Sequence, residues 1–430
     1  MTDTITVCSN ALHEQYTRIR HKSGLTVYVF PKDLSTAYAL IATRFGSVDN
    51  CFRLAGEAEF TRVPDGVAHF LEHKLFENAD GEDTFAKFAR TGANANAYTG
   101  FRNTAYLFSC TENVYDSLEI LLRSVFSPYF TPENVQKEQG IIAQEIRMGE
   151  DEPYNVLQYG MLQGLYETHS ARIDIAGTVP SIMTITTDIL YRCHNAFYHP
   201  ANMALCVCGR VEADAIVTTV DKILLETKPF TVESRYADES PRAFRSRVVR
   251  HMPIAKPLFC IGVKDIDIHP DPKERLKKEL AMNFIAAMAF GKSGDFYNVL
   301  SDEGLLSPSF DVWFYHNAAF SFFSLSGDSD DPETVFRRFS DYVQNHLDED
   351  LNEESFTRCR RVIYASYVKC FDSTEEIANS LITDFALEGG EIFAYGDLIR
   401  QIDLPSVKAV AHALFRPEAF TLSTVLPISE

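Results

Sequence analysis

The stretch FYHPANMALCVCG (197–209) has an echo in LFRPEAFTLSTVL (414–426), 217 residues later. Each begins with an aromatic or apolar pair, meets a proline after one more residue, and continues two residues later into a large apolar residue. A leucine and an alternating run follow, the pattern of a half-buried or buried strand. An echo at this distance in a chain of 430 residues points to a duplicated unit. The length alone exceeds what one hydrophobic core usually covers and suggests two domains of about 200 residues. The stretch 226–245, ETKPFTVESRYADESPRAFR, is charged and lacks apolar periodicity. It reads as a linker between a first half, 1–225, and a second, 246–430. Strands and helices are interspersed in both, which is α+β architecture. In the first half, 25–30, 35–50 and 92–111 read as strands. The stretches 113–130 and 131–152 read as helices, the latter with Thr131 as cap and Pro132 in the first turn.

Working outward, HFLEH (69–73) sits in a stretch that reads as a helix, with Asp65 as a plausible N-cap and an end at Asn78. Residues four apart share a helix face, so His69 and His73 can hold one ion by a ring nitrogen each. Glu72 lies beside the second histidine and can accept a proton from a water at the ion. Zinc suits such a pair, because catalytic zinc uses three protein ligands and leaves a position for water. With 12 histidines in the chain, composition alone predicts about 0.03 motifs of this form. The same 217-residue offset carries 69–73 onto AAMAF (286–290), which is apolar, so chemistry is expected in the first half only. A third ligand is expected from the acidic helix 131–152. Glu138 and Glu145 are two turns apart on one face, with Ile141 and Ile142 between them as expected core anchors. Glu150 is turned well away from Glu145.

HxxEH followed about seventy residues on by a glutamate pair resembles the signature of the insulinase/pitrilysin metallopeptidases, the inverzincins. NAYT (96–99) is similar to that family's Asn-Ala-aromatic-Thr. HFLEHKLFE, EIRM and IDIAGT resemble the Bacillus-type zinc-bearing subunits of the bacterial single-unit branch. The resemblance implies two homologous halves, each an antiparallel sheet packed with helices, arranged as a clamshell. It implies one zinc ion per chain on His69, His73 and Glu145. It makes Glu72 the general base and Glu138 a support behind the ligands. It places Asn96, Ala97 and Tyr98 on an edge strand that pairs with a peptide substrate. One departure stands out. Family members that act alone carry an arginine and, six residues later, a tyrosine; the matching positions here are Ser301 and Ser307 in VLSDEGLLSPSF (299–310). The expectation is therefore a zinc endopeptidase subunit whose homologous partner supplies the missing pair. A peptide-binding protein that does not hydrolyse is the alternative.

Bulk properties narrow the remaining classes. The formal net charge is −20, which argues against nucleic acid and anionic membranes as partners. No apolar run spans a bilayer and no signal peptide is evident. The nine cysteines lack paired spacing and read as reduced thiols of a cytoplasmic protein.

Overall fold

The computed structural model describes residues 3–228 and 230–428. Residue 229, inside the expected linker, lies outside the described residues. The chain forms two compact units. The first gathers the chain up to Ile146 with Asp174–Tyr236 and Val368–Phe393; the second gathers Arg147–Ile173, Ala237–Tyr367 and the chain from Ala394 on. The sequence suggests contiguous halves, whereas each unit includes a segment from the other half of the sequence. Within 226–245, Val232–Ser234 is a strand paired with Cys51–Leu54.

The first unit contains β1 (Asp3–Ser9), β2 (Glu14–Arg20), β3 (Thr26–Pro31), β4 (Ala37–Thr43), β5 (Cys51–Leu54), β6 (Thr61–Arg62), β7 (Asn94–Thr99), β8 (Thr104–Cys110), β9 (Met203–Gly209) and β10 (Val232–Ser234). Seven of them form a sheet in the order β1-β2-β3-β9-β4-β8-β7, antiparallel except between β3 and β9. β10, β5 and β6 make a small second sheet. The expected strand 92–111 resolves into a hairpin, β7 and β8. Alternation sends the residues of the central strands into two separate cores. Ala39, Ile41, Leu205 and Val207 join a cluster with α1 (Val67–Lys74), α2 (Thr84–Thr91), α3 (Val114–Phe126) and α4 (Pro132–Glu150). On the other face Tyr38 meets the helical segment 374–386, and Phe30 packs on Phe371 and Phe393.

The second unit contains α5 (Pro153–Leu165), β11 (Arg247–Met252), β12 (Leu258–Asp265), β13 (Asp311–His316), β14 (Ser321–Asp328) and β15 (Phe420–Pro427). Its sheet runs β11-β15-β12-β14-β13, with only β11 and β15 parallel. This repeats β3-β9-β4-β8-β7 in order and direction. Pro200–Asn202 and Pro417–Ala419 are matching 3-10 turns that lead into β9 and β15, so the echo is structural. α5 lies against β11, β12 and β15. Its glycines permit the approach: a Cβ on Gly160 would lie 2.4 Å from the Ser423 hydroxyl, and one on Gly164 would lie 2.2 Å from that of Thr421. Residues 286–289 end a helix, Pro272–Ala289.

All nine cysteines are free, and Cys206 and Cys208 are buried on β9. No described helix is long and apolar enough to cross a membrane.

A buried histidine makes stability pH-dependent. His194, on the helix Thr187–Phe197, donates from Nε2 to the Val125 carbonyl at 2.9 Å and stacks on Tyr198. Burial pushes its pKa down to about 4, only partly opposed by that hydrogen bond. The unfolded chain, with an ordinary histidine near 6.5, binds more protons between these values. Stability is therefore full above about pH 6.5 and is lost as pH falls toward 4, at up to about 1.4 kcal/mol per pH unit. Urea unfolding at pH 7, 6 and 5 should show a shallower decline in His194→Gln than in the parent chain.

Candidate metal centre

The candidate ligands stand on two helices of the first unit, α1 and α4. α1 starts at Val67, one residue later than a cap at Asp65 would give. Its N-cap is Gly66, at φ 90°, and Asp65 instead accepts a hydrogen bond from Asn50 Nδ2 at 2.5 Å. A Cβ on Gly66 would lie 2.4 Å from the Ala176 carbonyl oxygen, and one on Gly177 would lie 2.5 Å from that of Asp65. The two glycines let the loop of IDIAGT lie backbone to backbone on the start of α1. The helix ends at Lys74 with Leu75 as its C-cap, short of Asn78. Val67, Phe70, Leu71 and Lys74 are buried, which leaves His69, Glu72 and His73 partly open on the other side.

α4 begins at Pro132, with Thr131 accepting from the Asn134 amide at 3.2 Å as a cap. Ile142 is fully buried, but Ile141 is 47% exposed and corrects the expectation of two core anchors. Ile141 and Ile142 flank the line of Glu138 and Glu145 on opposite sides; the Ile142 side faces the core and the Ile141 side is open. Glu138 is buried, Glu145 is exposed, and Glu150 is exposed.

His69, His73 and Glu145 come together, each offering one donor atom within 4.8 Å of the others. His69 Nε2 lies 3.4 Å from Glu145 Oε1, and His73 Nε2 lies 3.6 Å from Glu145 Oε2. Both separations are long for hydrogen bonds. They are close to the edge of a tetrahedron of donors about 2.0 Å from a common centre, roughly 3.3 Å, and they reach the two different oxygens of the carboxylate. Two imidazoles and a carboxylate in this spacing fit zinc. The other nitrogen of His73, Nδ1, is 3.0 Å from Glu138 Oε1, which leaves Nε2 directed at the centre. Burial lowers the His73 pKa, but the Glu138 hydrogen bond and charge, then Glu145 and Glu72, raise it on balance. The His69 ring and the nearby His73 hold Glu145 below its ordinary value against partial burial. Burial raises Glu138, yet His73 and Lys74 outweigh it and its pKa is lowered.

Glu72 is fixed from the sheet. Thr99 Oγ1, at the end of β7, donates to Glu72 Oε2 at 2.6 Å and leaves Oε1 uncommitted to Thr99. β7 is the edge strand, as expected of 96–99, and it carries Asn96, Ala97 and Tyr98. Ala97 lies on the helix-facing side. Tyr98 turns to the other face, where its hydroxyl donates to Asn379 Oδ1 at 3.0 Å. Asn379 also donates to the Tyr38 hydroxyl at 3.2 Å. Sequence reading overlooks Thr99 as the holder of Glu72 and overlooks Lys74. Lys74 had a legible signal: it is seven, four and three residues from Val67, Phe70 and Leu71, a charge at a core position.

The profile described as "Insulinase (Peptidase family M16)" matches residues 55–179, which span both helices. The profile described as "Peptidase M16 inactive domain" matches 184–363. The uncharacterized zinc protease YmfH of Bacillus subtilis is 38% identical over 423 residues, covering 97% of this chain and 98% of the relative. The chain belongs to the insulinase family, peptidase family M16. A crystal structure of a putative M16-like peptidase from Alicyclobacillus acidocaldarius superposes with a TM-score of 0.90 at 33% identity, covering 99% of each chain. A protease from Helicobacter pylori shares the fold with a TM-score of 0.82 at 17% identity, covering 96% of this chain and 100% of that one. The fold is thus two M16-type halves, and the relatives of this family are named zinc proteases.

The Thr99–Glu72 bond can be measured without metal. Thr99→Val should destabilise the metal-free chain by about 1.5–3 kcal/mol, the scale of a hydrogen bond to a charged group. In a Glu72→Ala background the same change should cost much less. Additive costs in urea unfolding would show that the two side chains do not interact.

Proposed function

We propose that the chain is a zinc-dependent endopeptidase and acts as the zinc-bearing subunit of a heterodimer. One observation carries this reading: two imidazoles and a carboxylate at ligand spacing, beside a second carboxylate held by an open edge strand. His69, His73 and Glu145 would hold the ion. Zinc supplies Lewis-acid activation of water and of a peptide carbonyl when bound. Glu72 accepts the water's proton on Oε1, since Oε2 is occupied by Thr99, and delivers it to the leaving amine. Glu138 keeps the His73 ring turned so that Nε2 faces the ion. A peptide adds as a strand beside β7, its main chain bonding along Asn96, Ala97 and Tyr98; such pairing tolerates many sequences.

Two serines of the second half support the reading that a partner takes part. Ser301 is on the helix Asp295–Asp302 and Ser307 follows it. The Ser307 hydroxyl is committed to Asp328, which is also bound by Lys256 at 2.7 Å. Neither serine offers the long cationic or phenolic donor that stabilises charge on a carbonyl oxygen, a contribution of about 3 kcal/mol per donor. A homologous subunit with the arginine and tyrosine would supply both. A second copy of this chain would not.

Purified protein should contain about one zinc per chain, since three ligands leave one position open. Glu72→Gln should keep the metal and lose hydrolysis by at least about 100-fold. Glu145→Gln should lose zinc, whereas Glu150→Gln should keep it. Hydrolysis by Glu72→Gln at the parent rate would remove the mechanism, and zinc loss in Glu150→Gln alone would name a different third ligand.

The division of labour has its own test. A mixture with a homologue that retains the arginine and tyrosine should cleave peptides much faster than the isolated chain, and the two should co-purify. Equal rates for chain and mixture would dismiss the heterodimer.

A further inference from the structure

Lys74 is completely buried, a rare condition for a lysine. Its ammonium has three acceptors around it: Glu77 Oε2 at 2.7 Å, the Asn134 carbonyl at 3.3 Å and Glu138 Oε2 at 3.7 Å. The last contact divides the Glu138 carboxylate between two neighbours. Oε1 takes the His73 ring at 3.0 Å, and Oε2 faces Lys74. With Oε1 hydrogen-bonded and Oε2 drawn toward the ammonium at ion-pair range, the plane of the carboxylate is biased, and the ring bonded to it inherits that orientation. His69 has no such support, because its Nδ1 is buried without a hydrogen-bond partner among the described residues. A lysine present only to fill space would be replaceable by methionine without effect on the His73 ring.

We propose that Lys74 is a positioning residue of the metal centre: its ammonium fixes the Glu138 carboxylate and, through it, the ring of His73. This rests on the reading of His69, His73 and Glu145 as zinc ligands.

Zinc competition with a chelator on the full chain tests it. Lys74→Met should weaken zinc binding about tenfold or more, while Glu77→Gln, which leaves the Glu138 contact, should change it less than about threefold. In the Glu138→Gln background, Lys74→Met should add less than about threefold. That double variant removes the buried charges together, so it keeps the comparison readable even if Lys74→Met alone fails to fold. Parent-like affinity in Lys74→Met, or a full tenfold additional loss in the double variant, would overturn the proposal. Ring-nitrogen NMR of the metal-free chain at pH 9 separates this from failure of the zinc reading. The parent should carry the His73 proton on Nδ1, and Lys74→Met should show a mixture of tautomers. An unchanged tautomer would overturn the proposal even in a chain that binds no zinc.

Discussion

A strand buried along its whole length needs a packed layer on each face of its sheet. β9 and β12 are buried at every position, and they lie inside the two main sheets. On one face of the first sheet the helices α1 to α4 join the large cluster. On the other face the segment 374–386 meets β4 and β9, and it comes from the second half of the sequence. α5, from the first half, covers strands of the second sheet in return. The exchange explains features that look unrelated in the sequence. Gly160 and Gly164 are glycines in a helix, where they cost stability, and their value is the close approach to Ser423 and Thr421. A cut at the expected linker would strip one layer from each sheet.

The same layering sets up the candidate centre. α1 is pinned at its start by backbone contact between Gly66 and Gly177, and its buried stripe fixes its rotation. Rotation decides which side chains face α4, and only His69 and His73 can then meet Glu145. Glu72, one residue before His73, is turned toward the sheet edge, where Thr99 meets it. Tyr98 and Thr99 are neighbours on one strand but point to opposite faces. One is tied to Asn379 in the exchanged segment and the other to Glu72. The edge strand is thus held from both sides while its outer edge stays open.

The duplicated architecture, the histidine pair and the acid pair were legible because each depends on local periodicity. The proline-led echo predicted matching turns and strands at the right distance. The exchange of segments was not legible, because nothing in α5 or 374–386 states which sheet it will cover; that is decided by surfaces elsewhere in the chain. Ile141 shows a smaller failure of the same kind. Its apolar character suggested burial, but it lies on the outer flank of the Glu138–Glu145 line and Ile142 on the core flank. Asp65 reads as a cap from composition, yet close backbone packing demands glycine at the next position. Lys74 lay in plain view at a core position and needed only the periodicity rule to be noticed.

The repeat also shows how differently the two halves surround an acid near the same hairpin end. Thr99 and Thr104 form the closing pair of β7 and β8; His316 and Ser321 form the closing pair of β13 and β14. Where the first half aims the Thr99 hydroxyl at an acid on a partly open helix, the second half encloses its acid. Asp265 is buried, with Ser321 Oγ donating to it at 2.8 Å, Lys278 at 2.8 Å and the His316 ring at 3.6 Å. Burial and the cations of Lys278 and Arg275 push His316 down to about 4, with Asp265 acting in the opposite direction. A carboxylate with that many donors is a structural anchor, since any proton or ligand it took up would have to displace a buried partner. The first half differs by leaving Glu72 with one anchor and Glu145 exposed.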